Sequence, residues 1–525
     1  MNNRNIISFV LNGNAPFVRH PELLNPPQEL WFFESISETY IPLLEVFDRL
    51  DKEYIPFRMA ISLSPVLCHM LGDELLIQRY LEYTDRQIIF GEQELQRTAG
   101  DPGLNALVRY FYNRIVEKKA FFSERYENNI IKGFEYYQKK GRLEILTTAA
   151  THSFLPFFAS CPEAIRSQFE VAISAHRQNF GKSPQGFWLP ELGWKAELDI
   201  WLRTYNLGYT IVDTHALAFA RPFAEKGTFY PVRTSQGIVA FGRDFNACQA
   251  MTEIKKDPVF RDNSRDQGFE LPSESLSMFF SSQGSRTGTG YKYNAAESSK
   301  SVLYDPGKAR QNAQNHVLSF LDSVVSRLKS AAELMNSPAI SLCAFDADSF
   351  GRFWHEGPEF IEALFREGIK GGEVQFMTPT EFYCKQDAAT FQMVTPEFSS
   401  WGTNGYAETW LDASSDWMYR HTMRALDRMV EMVERFPDNT GLKERALNQA
   451  TRELLLAISS DWPKMLYNQE NTDYAHSRIE SSLRNFTTIY EALGSNYIST
   501  EWLTQLEKRN NIFPNINYRV FKRRG

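Results

Sequence analysis

Short runs rich in β-branched and aromatic residues alternate with long stretches of helical periodicity through the first three quarters of the chain, and this alternation constrains the fold more than any other feature. The runs cover residues 6–11, 57–63, 143–148, 186–189, 209–212, 238–241, 340–345 and 374–377. Their length and composition predict strands. Helical periodicity fills residues 73–96, 104–139, 162–179 and 306–335. Strands separated by helices pair in parallel through crossovers, and this many repeats predicts a closed β/α barrel. More helix lies between residues 57 and 143 than one crossover needs, so a helical excursion is expected over about residues 68–140. Residues 254–304 are rich in Ser, Gly, Asp and Lys with few periodic apolar positions, which predicts a long loop excursion over the barrel face. Gly284, Gly288 and Gly290 within it complete neither phosphate-binding pattern, and no strand leads into them, so a surface loop is expected there. From about Trp410 the strand signals stop, and helical patterns at 417–436, 442–460 and 473–493 predict an all-α C-terminal domain. On this pattern the chain divides into a barrel domain at residues 1–395 and a helical domain at residues 396–525.

A chain of 525 residues exceeds what one core normally serves, which agrees with two units. Its formal net charge of −7 argues against nucleic acid as a main partner. The apolar run at residues 6–11 is too short for a signal segment or a membrane span, and no basic region or cleavage site accompanies it. A soluble cytoplasmic protein with no membrane partner is expected. Cys68, Cys161, Cys248, Cys343 and Cys384 are odd in number, scattered and mostly in apolar surroundings, which predicts buried thiols in a reducing compartment. Aromatics reach 14%, with 10 Trp, a content that suits either a Phe-rich core or rings stacked on sugar faces.

In β/α barrels the ligand sits at the C-terminal ends of the strands, so the polar residues that follow each run carry the chemistry. They are Asn12 and Asn14, Thr151 and His152, Glu191, Asp213 and His215, Arg243 and Asp244, and Asp346 and Asp348. Two carboxylates stand out. Glu191 follows Trp188-Leu189-Pro190, where proline fixes the backbone before the acid, and Asp346 closes the apolar run Ser341-Leu342-Cys343-Ala344-Phe345, where burial favours an altered proton affinity. A carboxylate pair at the mouth of an aromatic-rich barrel suits glycosidic bond cleavage: one acid attacks the anomeric carbon, the other protonates the leaving oxygen, and a separation of roughly 5 Å gives retention of configuration. Asp213 and Asp244 read instead as helix caps or arginine partners. His152 suits orienting a carboxylate or binding a sugar hydroxyl. The nine histidines include no pair at ligand spacing, His355-Glu356-Gly357-Pro358-Glu359 lacks the second histidine of a zinc helix, and no GxSxG elbow occurs. Neither a metal nor another cofactor is expected.

Over essentially its whole length the sequence resembles glycoside hydrolase family 57, in its α-1,4-glucan branching enzyme-like subgroup. The resemblance is carried by Pro16-Phe17-Val18-Arg19-His20-Pro21-Glu22, residues 143–152, Trp188-Leu189-Pro190-Glu191, and Phe345-Asp346 with Phe350-Gly351. It continues through Ser399-Ser400-Trp401-Gly402, Trp410-Leu411, residues 416–421, Arg445-Ala446-Leu447-Asn448-Gln449 and Ser459-Ser460-Asp461-Trp462-Pro463, in the family's order. It implies a (β/α)7 barrel followed by a helical domain that completes the groove. It also implies a retaining mechanism without a metal, with Glu191 as nucleophile and Asp346 as general acid/base. Trp401 and Trp410 match groove tryptophans that stack on glucosyl rings, and Asn12, Asn14, His152 and Trp354 fall at substrate-facing positions. The implied partner is an α-1,4-glucan such as glycogen, amylose or a maltooligosaccharide, with a glucan 6-hydroxyl intercepting the glycosyl-enzyme.

Departures from the family pattern gather at the site. Asn12 and Asn14 stand where the family has histidines, and an amide carries neither a proton nor a positive charge. Arg352 replaces a histidine after Asp346, which places a permanent cation where it would lower an aspartate's pKa. The loop expected after Glu253 is shortened to Ile254-Lys255-Lys256-Asp257-Pro258. Two outcomes follow: an active enzyme with a rewired site, which branches, hydrolyses or transfers glucan, or an impaired relative that binds α-glucan. The oligomeric state is left open by the sequence.

Overall fold

A computed structural model describes residues 5–296 and 302–524. Its strands are β1 (Asn5–Gly13), β2 (Met59–Leu63), β3 (Leu143–Thr148), β4 (Gly186–Trp188), β5 (Tyr209–Val212), β6 (Val232–Arg233), β7 (Val239–Gly242), β8 (Ile340–Asp346) and β9 (Val374–Phe376). Neighbours run in the order β6-β7-β5-β4-β3-β2-β1-β8. From β7 round to β8 seven strands are parallel in a curled sheet, a β/α barrel as expected but not closed by a ladder among the described residues. The two-residue strand β6, too short to signal itself in the sequence, lies antiparallel on β7, and β9 pairs with the first residues of β1, which β2 does not reach.

Strand alternation sorts the side chains. Ile6 and Val10 of β1, Ile211 of β5, Phe241 of β7 and Leu342 and Ala344 of β8 belong to the barrel interior, while Ile7, Phe9, Leu11, Ile61 and Cys343 belong to the larger core formed with the helices. Residues two apart share a face, so Asn12 and Asp346 continue the inward rows of β1 and β8. They are direct register partners.

The ends of the curled sheet meet at β7 and β8, which share no ladder among the described residues. Asp244 bridges this seam. Its backbone N donates to Leu342 O (2.8 Å), and its carboxylate accepts from Ser341 Oγ (2.5 Å), from Arg327 Nη1 (2.8 Å to each oxygen) and from Ala247 N at the start of the next helix. Asp213 accepts from Thr214 N and pairs with Arg243 (2.7 Å), so both aspartates cap a helix and hold an arginine.

The helical excursion contains Glu74–Arg97, Pro102–Ala120 and Ile131–Lys139; the predicted stretch over 104–139 is broken where Glu127 and Asn128 take left-handed backbone. In the loop excursion, residues 297–301 lie outside the described residues. The Gly-rich part is organised by an internal carboxylate: Asp266 accepts from the backbone N of Gly268, Thr289 and Gly290 and from Thr289 Oγ1. Amides that an anion would need are therefore already engaged. Glu38 joins the two excursions, pairing with Lys118 (3.0 Å), Arg261 (3.0 Å) and His355 (2.9 Å).

The C-terminal helices are α1 (Asp416–Arg435), α2 (Leu442–Ala457), α3 (Asp461–Asn468), α4 (Thr472–Gly494) and α5 (Thr500–Arg509). In α1 the buried residues Met418, Thr422, Ala425, Met429 and Val433 recur at three- and four-residue spacing, the stripe expected of a helix with one side in a core. The short helices α3 and α5 lie outside the predicted patterns. This layer is tied to the barrel mouth: Thr151 Oγ1 donates to Leu455 O (2.6 Å), Ser460 N to His152 O (3.1 Å) and Trp401 N to Glu191 O (2.9 Å). Four cysteines are buried and Cys384 is exposed, with no disulfide among the described residues. No helix of the described residues is long and apolar enough to cross a membrane.

Because Asp244 bridges the seam, Asp244→Ala leaves Arg327 and Ser341 without their partner. A loss of about 3 kcal/mol is expected, read as a lower midpoint in urea unfolding at neutral pH.

Candidate active site

β4 ends at Trp188, and Leu189-Pro190 leads into Glu191 (φ 60°) and Leu192 (φ 51°), both in left-handed backbone. His152, after β3, is a third such residue (φ 52°). Each costs roughly 1 kcal/mol or more for a residue with a Cβ, and such strain gathers at functional sites. The backbone oxygens of His152 and Glu191 accept from Ser460 N and Trp401 N, which holds these turns in place.

Asn12, Asn14, His152, Glu191 and Asp346 line one cavity of about 240 Å³, whose other side is built by Asp461, Lys464 and Met465 of α3. A chain of hydrogen bonds connects the two carboxylates across it. Asn12 Nδ2 faces Asp346 Oδ1 (3.2 Å) and His152 Nε2 (3.4 Å). With an amide nitrogen facing both, His152 Nε2 is an acceptor and the ring proton sits on Nδ1. His152 Nδ1 then donates to Ser460 Oγ (2.9 Å), and Ser460 Oγ donates to Glu191 Oε1 (2.9 Å). Trp401 Nε1 donates to Glu191 Oε2 (2.6 Å). Asn14 Nδ2 donates to Asp461 Oδ1 (3.2 Å), whose other oxygen accepts from Ser459 Oγ (2.7 Å). Asn12 Oδ1 and Asn14 Oδ1 are buried acceptors with no partner among the described residues.

Glu191 is 2% exposed. Burial alone would push its carboxyl up, but Lys464, the His152 ring and the Trp401 indole outweigh burial and hold it down at about 2. Lys464 is raised above the ordinary lysine range, first by Glu191, against the opposing effect of burial, and then by Asp346 and Asp461. Burial pushes Asp461 up, and it also pushes up Asp348, which accepts from Ser35 Oγ and Thr39 Oγ1. In the shortened loop, Lys255 lies 4.9 Å from the Phe350 ring centroid, and burial lowers it to about 8 against the field of Asp346.

Three sequence expectations are corrected. Trp354 is enclosed by Phe260, Phe350 and Phe360, and Trp410 is stacked on Phe154 at 5.2 Å; with both indoles buried, neither offers a face to a glucosyl ring. Arg352 lines the cavity, yet its guanidinium is held by Glu34 (3.1 Å) and lies near Asp348 (3.8 Å), so it is drawn towards those acids rather than to Asp346. Trp401 reaches the site as a hydrogen-bond donor to Glu191. Sequence reasoning missed Ser460, Lys464, Trp31 and the exposed Phe353, all of them at the site or its rim. The spacing of Ser460, Asp461 and Lys464, three and four residues apart across a helix start, was the available signal for one shared face.

A seven-stranded parallel barrel covered at its mouth by a helical domain belongs to the class of β/α-barrel glycoside hydrolases. The glycosyl hydrolase family 57 model matches residues 8–395, and the C-terminal model of 1,4-alpha-glucan branching enzyme matches residues 421–521. The chain belongs to glycosyl hydrolase family 57. It is 27% identical to a 1,4-alpha-glucan branching enzyme of Thermococcus kodakarensis, over 97% of this chain and 77% of that protein. Among solved structures it is similar to the alpha-amylase AmyC of Thermotoga maritima (TM-score 0.93, 32% identity, 99% of this chain and 100% of that one). It is also similar to the family 57 branching enzyme of Pyrococcus horikoshii (TM-score 0.90, 25% identity, 100% and 97%).

A carboxyl held below its unfolded value contributes stability that is present above that value and is lost as pH falls through the folded one. For Glu191 the window runs from 4.5 down to about 2. The stability difference between the wild type and Glu191→Gln is therefore expected to be constant above about pH 5.5 and to change progressively against the wild type as pH falls through this window. Urea titrations at several pH values measure it.

Proposed function

We propose that the protein is a retaining α-glucan-active enzyme, a 1,4-α-glucan branching enzyme working in the cytoplasm on glycogen, amylose or maltooligosaccharides. Residues 1–395 form the catalytic barrel in this reading, and residues 396–525 form the helical domain that completes its groove. The observation that carries it is the carboxylate pair Glu191 and Asp346 on one cavity, joined through Asn12, His152 and Ser460. The ionised Glu191 attacks the anomeric carbon while Asp346 gives a proton to the departing glycosidic oxygen, forming a glycosyl ester. Asp346 then takes the proton of a glucan 6-hydroxyl, whose oxygen displaces Glu191 and forms the α-1,6 bond. The unpaired Oδ1 atoms of Asn12 and Asn14 suit sugar hydroxyl donors. Acidic groups outnumber basic ones around the cavity, which favours an uncharged sugar over a phosphorylated or uronic one.

Branching is favoured over hydrolysis by the match of residues 421–521 to the branching enzyme C-terminal model. The likeness to an alpha-amylase supports hydrolysis as the second reading, and the loss of both first-motif histidines supports a glucan-binding protein of low turnover.

Incubation with long linear amylose, followed by anomeric proton NMR, is expected to yield α-1,6 signals that are absent with Glu191→Gln. A rise in reducing ends without them identifies a hydrolase. An unchanged spectrum, with amylose bound, identifies a binding protein.

A further inference from the structure

Positive charge is scarce around the cavity. Glu191, Asp346, Asp348, Asp461 and Glu470 line it, against His152, Arg352 and Lys464. Arg352 is drawn to Glu34 and Asp348, and His152 accepts from Asn12 through Nε2. Asn12 and Asn14 carry no charge. Lys464 differs from all of these. It sits on α3 one turn beyond Ser460, the residue that donates to Glu191 Oε1, and it lines the same cavity as Glu191, Asp346, Asp461 and Glu470.

From this cluster we propose that Lys464 is a positioning residue for the nucleophile: its ammonium, delivered by the helical domain, is the charge that keeps the sealed Glu191 carboxylate ionised and ready to attack. The inference rests on the proposed function for the word nucleophile, while the electrostatic pairing stands on the cavity itself.

The groups that touch Glu191 directly carry no permanent positive charge. From the barrel, His152 Nδ1 lies 3.5 Å from Glu191 Oε1 and donates to Ser460 Oγ of the helical layer, which donates to Oε1 in turn. The Trp401 indole donates to Oε2 but bears no charge. From α1, the Tyr419 hydroxyl is pushed up by burial and by Glu191, so it stays neutral. Asp461 on α3 adds negative charge. A carboxylate 2% exposed among such neighbours would take up a proton unless a full positive charge faced it. Lys464 also reverses the usual division of labour between domains, since the helical domain conditions the nucleophile as well as shaping the groove.

The test reads Glu191 directly. Full-length protein carrying carboxyl-labelled 13C glutamate is titrated by NMR, and the Glu191 resonance is assigned by its loss in Glu191→Gln. In Lys464→Gln the Glu191 midpoint is expected to rise by about one unit or more, as removal of a cation from the same cavity demands, and Lys464→Arg is expected to keep it near the wild-type position. An unmoved midpoint in Lys464→Gln overturns the proposal. Coupling between two groups is reciprocal, so Glu191→Gln must lower the affinity of Lys464 for its proton. This second measurement needs no Lys464 variant to fold: acetic anhydride is expected to acylate Lys464 at lower pH in Glu191→Gln than in the wild type, read by peptide mass spectrometry. Equal acylation profiles overturn the proposal as well. In active enzyme the acid limb of kcat/KM moves up with the NMR midpoint in Lys464→Gln, whereas a merely structural lysine would lower activity at every pH alike. Absence of turnover on amylose sinks the functional reading, and both titrations still decide the role of Lys464.

Discussion

A buried carboxylate whose proton affinity is held down by its neighbours is the constraint around which this molecule is arranged. Glu191 is 2% exposed, so its charge has to be met largely by fixed groups, and those groups arrive from separate parts of the chain: His152 after β3, Trp401 beyond the barrel, Ser460 and Lys464 at the helical layer. The left-handed turns at residues 152 and 191 are the local cost of this convergence, and the backbone hydrogen bonds to the helical domain over-determine them. Domain docking and site chemistry are therefore one problem here. A barrel without its helical cover would leave Glu191 with strained backbone and without its counter-charge.

Much of this was legible in the sequence, and the reasons are physical. Strand runs such as residues 143–148 and 209–212 coincide with β3 and β5 because β-branched and aromatic residues bounded by turn formers have few other folds. Period-two alternation placed Asn12 and Asp346 on inward rows, and the parallel register makes them neighbours. Asp213 and Asp244 read correctly as caps and arginine partners because an aspartate before a helix satisfies orphan amides wherever it occurs. What stayed hidden depends on distance through space. Lys464 lies 273 positions after Glu191 in the chain, and no local pattern says that an ordinary helix lysine shares its cavity. Trp354 and Trp410 failed as ring platforms for the converse reason: motif position does not reveal whether an indole face is covered, and here Phe neighbours cover both.

The asparagines change how the two carboxylates communicate. A histidine at position 12 could exchange protons with its neighbours, whereas the amide nitrogen of Asn12 can only donate, to Asp346 on one side and to His152 on the other. The polarity of the chain is thereby fixed from Asn12 through His152 and Ser460 to Glu191. Such a chain holds geometry without passing protons, so the two carboxylates are linked mechanically.

The seam between β7 and β8 gives that linkage a direction. β8 is laddered to β1 along seven register pairs, from Ile6↔Ile340 to Asn12↔Asp346, but meets β7 chiefly through the contacts of one aspartate. Ladders resist shear along their whole length, while a bridge of a few hydrogen bonds behaves as a hinge pin. Asp346 is thus fixed to Asn12 along a full ladder, while the wall around β7 is tied to β8 at separate points: Asp244, Phe229 O to Ile340 N (2.9 Å) and Cys248 Sγ to Ala344 O (3.6 Å).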